Sequence, residues 1–197
     1  MTEAACAAIV LAAGASTRLG QPKQLVTIDG ETLLRRTARL AAEAGCAPLF
    51  VVLGSDAARF AMQLNGLAVS LVVNDQWQTG MASSLHAGLR AALKESSPPT
   101  NVMILVCDQP RLDVSLLRNL LATHSLQRST ITASRYLNTL GVPAIFSGAH
   151  FHELLELTGD QGARRILQQH RERVAAVDFP GGGLDIDTPE DIPRLHL

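Results

Sequence analysis

The sequence predicts a three-layer α/β/α protein, in which helices cover both faces of a mostly parallel β-sheet. Three observations lead to this prediction. Short apolar, β-branched runs alternate with amphipathic helical patterns along most of the chain. A loop rich in glycine and small residues follows the first apolar run, and a carboxylate follows the most apolar one. Such alternation is typical of a Rossmann-like sheet of about seven strands, whose ligands bind at the carboxyl ends of the strands.

Seven apolar runs are predicted as strands and six amphipathic stretches as helices. The strands are expected at residues 7–12, 48–53, 69–73, 102–107, 130–134, 142–146 and 174–178. The helices are expected near residues 31–44, 56–64, 81–94, 114–127, 148–157 and 161–170. The alternation becomes less regular after about residue 128, which predicts one antiparallel strand. The flexible stretches at 94–100 and 180–183 do not look like domain linkers, so residues 1–197 are predicted to form a single domain.

Composition narrows the class of protein. The chain has 197 residues, of which 47% are hydrophobic and 18% charged, and its net charge is −1. These values predict a compact globular protein with no general attraction to nucleic acid or to a membrane surface. The N-terminus has no positive charge before its apolar run, so no signal peptide is expected. The cysteines Cys6, Cys46 and Cys107 are widely spaced, which favours buried reduced thiols and a cytoplasmic protein.

The loop at residues 11–23, LAAGASTRLGQPK, is predicted to bind phosphate. Gly14 and Gly20 allow backbone N–H groups to converge on an anion, while Arg18 and Lys23 offset its charge. The spacing of the glycines excludes both a P-loop and a dinucleotide fingerprint. The alternative is an ordinary glycine turn that carries two solvated cations.

A second candidate segment is NDQWQTGMASSL at residues 74–85, where a strand ends and a helix rich in small and hydroxyl residues begins. The N-terminus of such a helix offers N–H groups and a partial positive charge to a nucleotide. The alternative is a structural role, in which Thr79 caps the helix and Trp77 packs in the interior.

Two carboxylates are candidate metal ligands. Asp108 directly follows the apolar run VMILVC, so it is expected at the carboxyl end of a central strand. Asp187 lies in the extended segment DID and is the candidate second ligand, since Mg²⁺ usually takes one or two carboxylates together with substrate phosphates. The alternative interpretation of Asp108 is structural: its side chain would cap the turn that follows the strand. Thr188 and Asp191 have the spacing of a helix N-terminus close to a capping box.

Six segments in order resemble the molybdenum cofactor nucleotidyltransferases, which belong to the larger glycosyltransferase-A-like group. The segments are LAAGASTRLGQPK, NDQWQTGMASSL, CDQP, GVPAIF, GDQGAR and DIDTPED, and the resemblance runs from residue 8 to residue 192. It is greatest to the branch that uses CTP. The branch that uses GTP typically reads LAGG in the first loop, whereas this chain has Ala13 before Gly14.

This resemblance implies a role for individual residues. The base and ribose would lie against Leu11, Ala12, Ala13 and Gly14, with Asn74, Gly80 and Ser83 lining the nucleoside side. Arg18 and Lys23 would hold the triphosphate, and Asp108 and Asp187 would bind the metal, so that these four residues are the expected catalytic set. The acceptor would lie near Tyr136 and Arg164. Close relatives often carry glycine after the tyrosine, and Leu137-Asn138 departs from that pattern in the acceptor region.

The activity implied is transfer of CMP from CTP to the phosphate of molybdopterin or molybdenum cofactor, with release of pyrophosphate. Mg²⁺ is the expected metal, with Mn²⁺ as a substitute, and a molybdoenzyme that receives the cofactor is the expected protein partner. Two alternatives stay open. The chain could transfer GMP or another nucleotide to molybdopterin, a sugar phosphate or another small phosphate, or it could be a noncatalytic nucleotide-binding protein that inserts a cofactor.

Overall fold

The computed structural model describes residues 6–16, 19–186, 188 and 191. In these residues the strands are β1 (Cys6–Ala12), β2 (Thr27–Ile28), β3 (Glu31–Thr32), β4 (Leu49–Leu53), β5 (Ser70–Val73), β6 (Asn101–Val106), β7 (Ile131–Tyr136), β8 (Thr139–Ser147) and β9 (Ala175–Asp178). The α-helices are α1 (Leu33–Glu43), α2 (Ala57–Gln63), α3 (Met81–Leu93), α4 (Val114–Gln127), α5 (Phe151–Leu155) and α6 (Arg164–Gln169). No helix in this part of the chain combines the length and apolar character needed to cross a membrane.

Seven of the strands form one sheet in the order β5-β4-β1-β6-β8-β7-β9. The pairs β5-β4, β4-β1, β1-β6 and β7-β9 are parallel, whereas β8 runs antiparallel to both β6 and β7. The predicted fold class is therefore confirmed, including the single reversed strand in the second half of the main sheet.

Helices pack on both faces of this sheet because its strands bury side chains in both directions. In β1, Val10 contributes to the core on one face and Ile9 to the core on the other, and both are fully buried. The first core includes residues of α1, α2 and α4, and the second includes residues of α3, α5 and α6. This is the predicted three-layer arrangement.

The structure differs from the prediction before α1, where β2 and β3 form a separate antiparallel hairpin. Each strand has only two residues, too few for a recognisable apolar alternation. The helix consequently begins at Leu33, with the Thr32 side chain accepting a hydrogen bond from the Arg35 backbone N–H. Gly45 follows the helix with φ of +99°, as expected of a residue that ends one.

Parallel strands bring the loops that follow them to one edge of the sheet. The loops after β1, β4, β5 and β6 meet at this edge, here called the carboxyl edge. The reversal of β8 places the tight turn between β7 and β8 at the same edge. Leu137 and Asn138 form that turn with φ of +48° and +58°, the left-handed values that a two-residue hairpin requires.

Candidate functional site

A cleft of about 370 Å³ opens at the carboxyl edge of the sheet. Its walls come from the loop after β1, the beginning of α3, the end of β6 and the loop before α6. The lining residues are Leu11, Ala12, Ala13, Gly14, Lys23, Gln24, Trp77, Gln78, Gly80, Met81, Ser84, Val106, Cys107, Asp108 and Asp160. The cleft thus brings together residues from four of the segments that the sequence singled out.

The loop after β1 is held in shape by its own side chains. Gln24 is buried, and its Nε2 atom donates to the carbonyl oxygens of Ala12 and Gly14 at 2.8 Å each. The Ser16 hydroxyl accepts a hydrogen bond of 3.0 Å from the backbone N–H of Lys23. These bonds fold the loop back on itself and fix the point from which the Lys23 side chain enters the cleft.

Lys23 and Asp108 meet across the cleft. The Lys23 ammonium nitrogen lies 2.5 Å from Asp108 Oδ2, and about a fifth of each side chain remains exposed. The neighbouring Cys107 is buried, and burial together with the Asp108 carboxylate raises the pKa of its thiol to about 12. Cys107 therefore stays a neutral thiol at physiological pH, and the charges at this point are those of the lysine and the carboxylate.

The start of α3 forms another wall. Gly80 has φ of +114°, and a Cβ at this position would overlap the backbone of Gly159. The Gly159 carbonyl accepts a hydrogen bond of 3.0 Å from the N–H of Ala82, so the GDQGAR segment covers the first turn of the helix. The Thr79 hydroxyl donates to the Gln76 carbonyl, so it does not cap the helix.

Asn74 and Ser83, predicted to line the nucleoside side, support the cleft from outside its lining. The buried Asn74 amide donates to the Ser83 and Ser84 hydroxyls at 2.9 and 3.0 Å, and its Oδ1 atom accepts from the Gln76 N–H. These bonds hold the loop before α3 against the helix. Gly80 does line the cleft, and so does Ser84, which the sequence reasoning did not select. Contact of any of them with a nucleotide stays a prediction.

Tyr136 and Arg164 lie beside the cleft, at the hairpin between β7 and β8. Arg164 donates a hydrogen bond of 3.1 Å to the hydroxyl of Thr139, just after the turn. Burial, and then the charge of Asp185, raises the pKa of Tyr136, while Arg164 opposes this shift. The Tyr136 ring packs edge-on against Phe179 with 6.0 Å between ring centroids. The two predicted acceptor residues therefore share one region, which also contains a carboxylate.

The segment after β9 returns to the cleft. The backbone N–H of Ile186 donates to the Asp108 carbonyl at 3.1 Å, and its buried side chain packs against the cluster that contains Leu19 and Val26. Thr188 and Asp191 form one of the two bonds of a capping box: Asp191 Oδ2 accepts from the Thr188 N–H at 2.8 Å. The Thr188 hydroxyl also donates to Asp191 Oδ2, at 3.0 Å. The predicted site residues Arg18 and Asp187 lie outside the described residues.

Sequence reasoning missed some of the residues in the cleft. Gln24 supports the phosphate loop. The one sequence feature that could have indicated this is that a polar residue directly follows Lys23. Asp160 lines the cleft within GDQGAR, the segment whose arginine, Arg164, is the predicted acceptor residue. Trp77, considered before as a packing residue, lines the cleft and also contacts the region of Gly54. These contacts join segments that are far apart in sequence, so no local pattern reveals them.

The oxygen donors of the cleft are suited to a hard divalent cation. Asp108 and Asp160 both line it, and Asp108 is also within reach of the cationic loop. Mg²⁺ and Mn²⁺ prefer carboxylate and phosphate oxygens, and they commonly take one or two protein carboxylates when a nucleotide supplies the rest. The residues present therefore fit such a metal together with a triphosphate.

Comparison with known proteins identifies a family and several relatives. A family model described as "MobA-like NTP transferase domain" matches residues 8–174. Nicotine blue oxidoreductase from Paenarthrobacter nicotinovorans is 33% identical, and the alignment covers 95% of this chain and 94% of that protein. The purine catabolism protein PucB from Bacillus subtilis is 31% identical, with coverage of 95% and 94%.

The crystal structure of Rv0371c from Mycobacterium tuberculosis superposes with a TM-score of 0.84 at 32% identity, covering 98% of both chains. A second crystal structure of Rv0371c, described as a complex with manganese, has a TM-score of 0.75 at 30% identity and covers 98% of both chains. A homologue of this chain thus binds a divalent metal.

Proposed function

Because this chain belongs to the MobA-like NTP transferase family, we propose that it transfers CMP from CTP to the phosphate of molybdopterin or molybdenum cofactor. The observation that supports this most directly is the Lys23–Asp108 pair, which places a cation and a carboxylate 2.5 Å apart in the cleft. Nucleotidyl transfer needs both charges there: a cation for the phosphates and a carboxylate for the metal that accompanies them. The whole chain, residues 1–197, would act as one nucleotidyltransferase domain.

In this proposal the loop after β1 binds the nucleotide. Leu11, Ala12, Ala13 and Gly14 contact the base and ribose, and Lys23 neutralises the triphosphate together with Arg18. The buried Gln24 supports this role because it fixes the carbonyl groups of Ala12 and Gly14, so this part of the backbone is positioned before the substrate arrives. Preorganised charges are more effective than charges that must be ordered during the reaction.

The reaction is an in-line displacement at the α-phosphorus of CTP. An oxygen of the acceptor phosphate forms a bond to this phosphorus, and the bond to the β-phosphate oxygen breaks, so pyrophosphate leaves with the electron pair. A phosphate monoester is already largely ionised near neutral pH, so no protein base is needed. Lys23 would stabilise the charge that builds up on the phosphate oxygens, and the cleft would align the two substrates.

Asp108 and Asp187 would hold Mg²⁺, or Mn²⁺ in its place. When bound, such a cation neutralises phosphate charge and acts as a Lewis acid. The ion pair with Lys23 holds the Asp108 carboxylate at the wall of the cleft.

The acceptor would lie toward the hairpin between β7 and β8. Tyr136 offers an apolar ring with a polar tip, and Arg164 offers a guanidinium group close to the turn. Both suit a pterin that carries a phosphate. The product would then pass to a molybdoenzyme, the partner that the resemblance implies.

A second candidate comes from the name of one relative. The chain is 33% identical to nicotine blue oxidoreductase over nearly its whole length, so an oxidoreductase activity is a competing proposal. Nucleotidyl transfer is favoured because the loop after β1 lacks the dinucleotide fingerprint. GMP transfer, or transfer to a sugar phosphate or another small phosphate, is the nearest variant of the proposal.

Pyrophosphate release tests these alternatives together. The chain is incubated with CTP, GTP, ATP or UTP in turn, with Mg²⁺, and with molybdopterin or a panel of sugar phosphates as acceptors. A parallel assay follows oxidation of NADH and NADPH in the presence of a redox dye. We expect release of pyrophosphate with CTP and molybdopterin, and a nucleotide–pterin product by mass spectrometry.

The controls separate the outcomes. Asp108→Asn should abolish metal-dependent release, whereas Glu95→Gln, at an exposed position before β6, should not change it. Release with GTP alone would assign the guanylyl branch. Nucleotide binding without release from any acceptor would favour the noncatalytic alternative, and dye-dependent oxidation of NADH would favour the reductase.

A further inference from the structure

A cluster of two histidines and one glutamate lies at the edge of the sheet opposite the cleft. It consists of His150, Glu153 and His170, here called the histidine cluster. His150 precedes α5 shortly after the end of β8, and His170 follows α6 shortly before β9 begins. Because β8 runs antiparallel, its end lies beside the start of β6, which is the edge away from the carboxyl ends of the parallel strands. The nucleotidyl transfer proposed above makes no use of these residues.

The two imidazole rings converge on one carboxylate. His150 Nδ1 lies 2.7 Å from Glu153 Oε1, and His170 Nε2 lies 2.7 Å from Glu153 Oε2. The rings meet edge-on with 4.8 Å between centroids. One ligand atom from each residue can be chosen so that all three lie within 4.8 Å of one another. A tetrahedral zinc ion, with bonds of about 2.0–2.1 Å, needs ligand atoms about 3.4 Å apart, so small side-chain rotations would suffice.

The surroundings of His150 also fit a ligand. A metal-bound imidazole must carry its proton on the other ring nitrogen, and a hydrogen-bond acceptor there orients the ring. The Thr130 hydroxyl oxygen lies 3.1 Å from His150 Nε2 and can accept a hydrogen bond from an N–H at that position. His150 is only 8% exposed, whereas His170 and Glu153 are partly exposed. The cluster is therefore anchored on its inner side and accessible to an ion on its outer side.

We propose that the histidine cluster binds a borderline-soft divalent transition metal, with Zn²⁺ as the expected ion, through His150 Nδ1, His170 Nε2 and a Glu153 oxygen. Two imidazoles and one carboxylate favour Zn²⁺ over Mg²⁺, which prefers oxygen ligands alone. A solvent molecule would complete a tetrahedral set.

Such a metal would crosslink the second half of the fold. His150 directly precedes α5, and Glu153 lies within it. His170 directly follows α6, and Thr130 is the residue before β7. An ion bound there would join two helices whose five and six residues give them little stability of their own. Its role would be structural, because the cluster and the cleft lie at opposite edges of the sheet.

Cobalt binding provides the test, since Co²⁺ replaces Zn²⁺ and absorbs visible light in a tetrahedral nitrogen and oxygen site. The full chain without an affinity tag is freed of metal with a chelator and titrated with CoCl₂. The background variant Asp108→Asn removes the cleft carboxylate that is predicted to bind a metal, so that metal binding in the cleft contributes less to the signal. We expect visible absorption that saturates near one equivalent, disappears on addition of ZnCl₂, and is unchanged by a tenfold excess of MgCl₂.

Variants of the cluster decide whether these residues are the ligands. His170→Ala and Glu153→Gln should each remove the absorption, while His152→Ala should retain it. His152 is the matched control because it is exposed on the same helix and faces Glu156 at 3.4 Å. Zinc at about 100 times its dissociation constant should raise Tm by about 5–10 °C, and the His170→Ala variant should lose this shift. Equal cobalt absorption in His170→Ala, or none in the parent, would overturn the proposal.

Discussion

The backbone carbonyl of Ala13 packs directly against Gly54, so closely that a Cβ on residue 54 would overlap the carbonyl oxygen. These residues follow β1 and β4, two neighbouring parallel strands. The Trp77 side chain approaches from the other side, with its Cγ atom 3.1 Å from the position of that Cβ. A glycine is therefore required where the loop after β1 crosses the end of β4.

Gly54→Ala should displace the nucleotide loop. The added methyl group must push away either the Ala13 carbonyl or the Trp77 ring, and misplacement of a binding group by about 1 Å can lower kcat/KM by about 100-fold. We expect this loss for nucleotide turnover, together with a destabilisation of about 1–3 kcal/mol from overpacking. Steady-state kinetics and urea unfolding measure the two effects. Gly148→Ala is the control, because its Cβ would meet only ordinary contacts of 3.7 Å or more.

Lys23→Ala should lower kcat/KM for nucleotidyl transfer by about 10²- to 10³-fold, the usual cost of losing one group that stabilises transition-state charge. Lys94→Ala is the matched control, because Lys94 is exposed after α3, away from the cleft. The measurement is pyrophosphate release at varied nucleotide concentration. Turnover of Lys23→Ala at the rate of the unchanged protein would rule out this role.

Gln24→Ala should loosen the loop without removing any charge. It takes away the two hydrogen bonds to the Ala12 and Gly14 carbonyls, and unpaired buried groups cost about 1–3 kcal/mol. We expect lower stability in urea and a raised KM for the nucleotide. Gln21→Ala changes an exposed glutamine of the same loop and should do neither. If the two variants had the same stability in urea and the same KM, Gln24 would not be the residue that holds the loop in place.

Ala13→Gly tests the base preference. Ala13 is only 7% exposed and lines the cleft, so its methyl group occupies space where the base would lie. Removing it should favour the larger purine, shifting the ratio of kcat/KM values for CTP and GTP toward GTP by about 10-fold, the usual worth of a methyl-sized change in a pocket. Competition between the two nucleotides in one reaction measures this ratio. An unchanged ratio would show that residue 13 does not select the base.

The contribution of Glu31 to stability should depend on pH. Its carboxylate accepts two hydrogen bonds, of 2.9 and 2.7 Å, from the Arg39 guanidinium, which hold its pKa below the usual value. The folded state thus favours the ionised form, so the stabilisation is present above the ordinary glutamate pKa and is lost as pH falls through the lowered value. Glu31→Gln should cost up to about 1 kcal/mol at pH 7, because the pair is partly exposed.

Urea unfolding of both proteins between pH 3 and pH 7 tests this dependence. Comparing Glu31→Gln with the unchanged chain at each pH cancels the titration of the other groups. The difference in unfolding free energy should shrink toward zero at the acid end. A difference that persists there would mean that the pair acts through packing instead of charge.

The main elements could be predicted because they depend on local patterns. The apolar runs around β1, β4 and β6 and the periodicity of α1 and α4 were sufficient to anticipate the layered sheet. Asp113, an acidic residue directly before the apolar pattern of α4, caps this helix, since its side chain accepts from the Leu116 N–H at 2.8 Å. Lys23 and Asp108, which lie 85 positions apart, meet as their predicted common site requires.

The supporting contacts of the cleft could not be predicted in this way. The resemblance implies that Asn74 lines the nucleoside side, but in the structure its amide donates hydrogen bonds to two serines of the adjoining helix. Gln24 directly follows the predicted phosphate loop, and its burial depends on how that loop folds back. Gly80 and Gly159 touch only because the loop before α6 returns to the start of α3. Each of these outcomes depends on tertiary packing.

The reversed strand β8 has a consequence for how the specificity of this protein can diverge. Loops after parallel strands can lengthen freely, but β7 and β8 are joined by a turn of two residues, Leu137 and Asn138, whose backbone is fixed by their left-handed conformation. A change in that half of the site must therefore come from single side chains on a rigid hairpin. The nucleotide half of the site can therefore change by insertions in its loops. The acceptor half can change only by substitution of single residues on the hairpin.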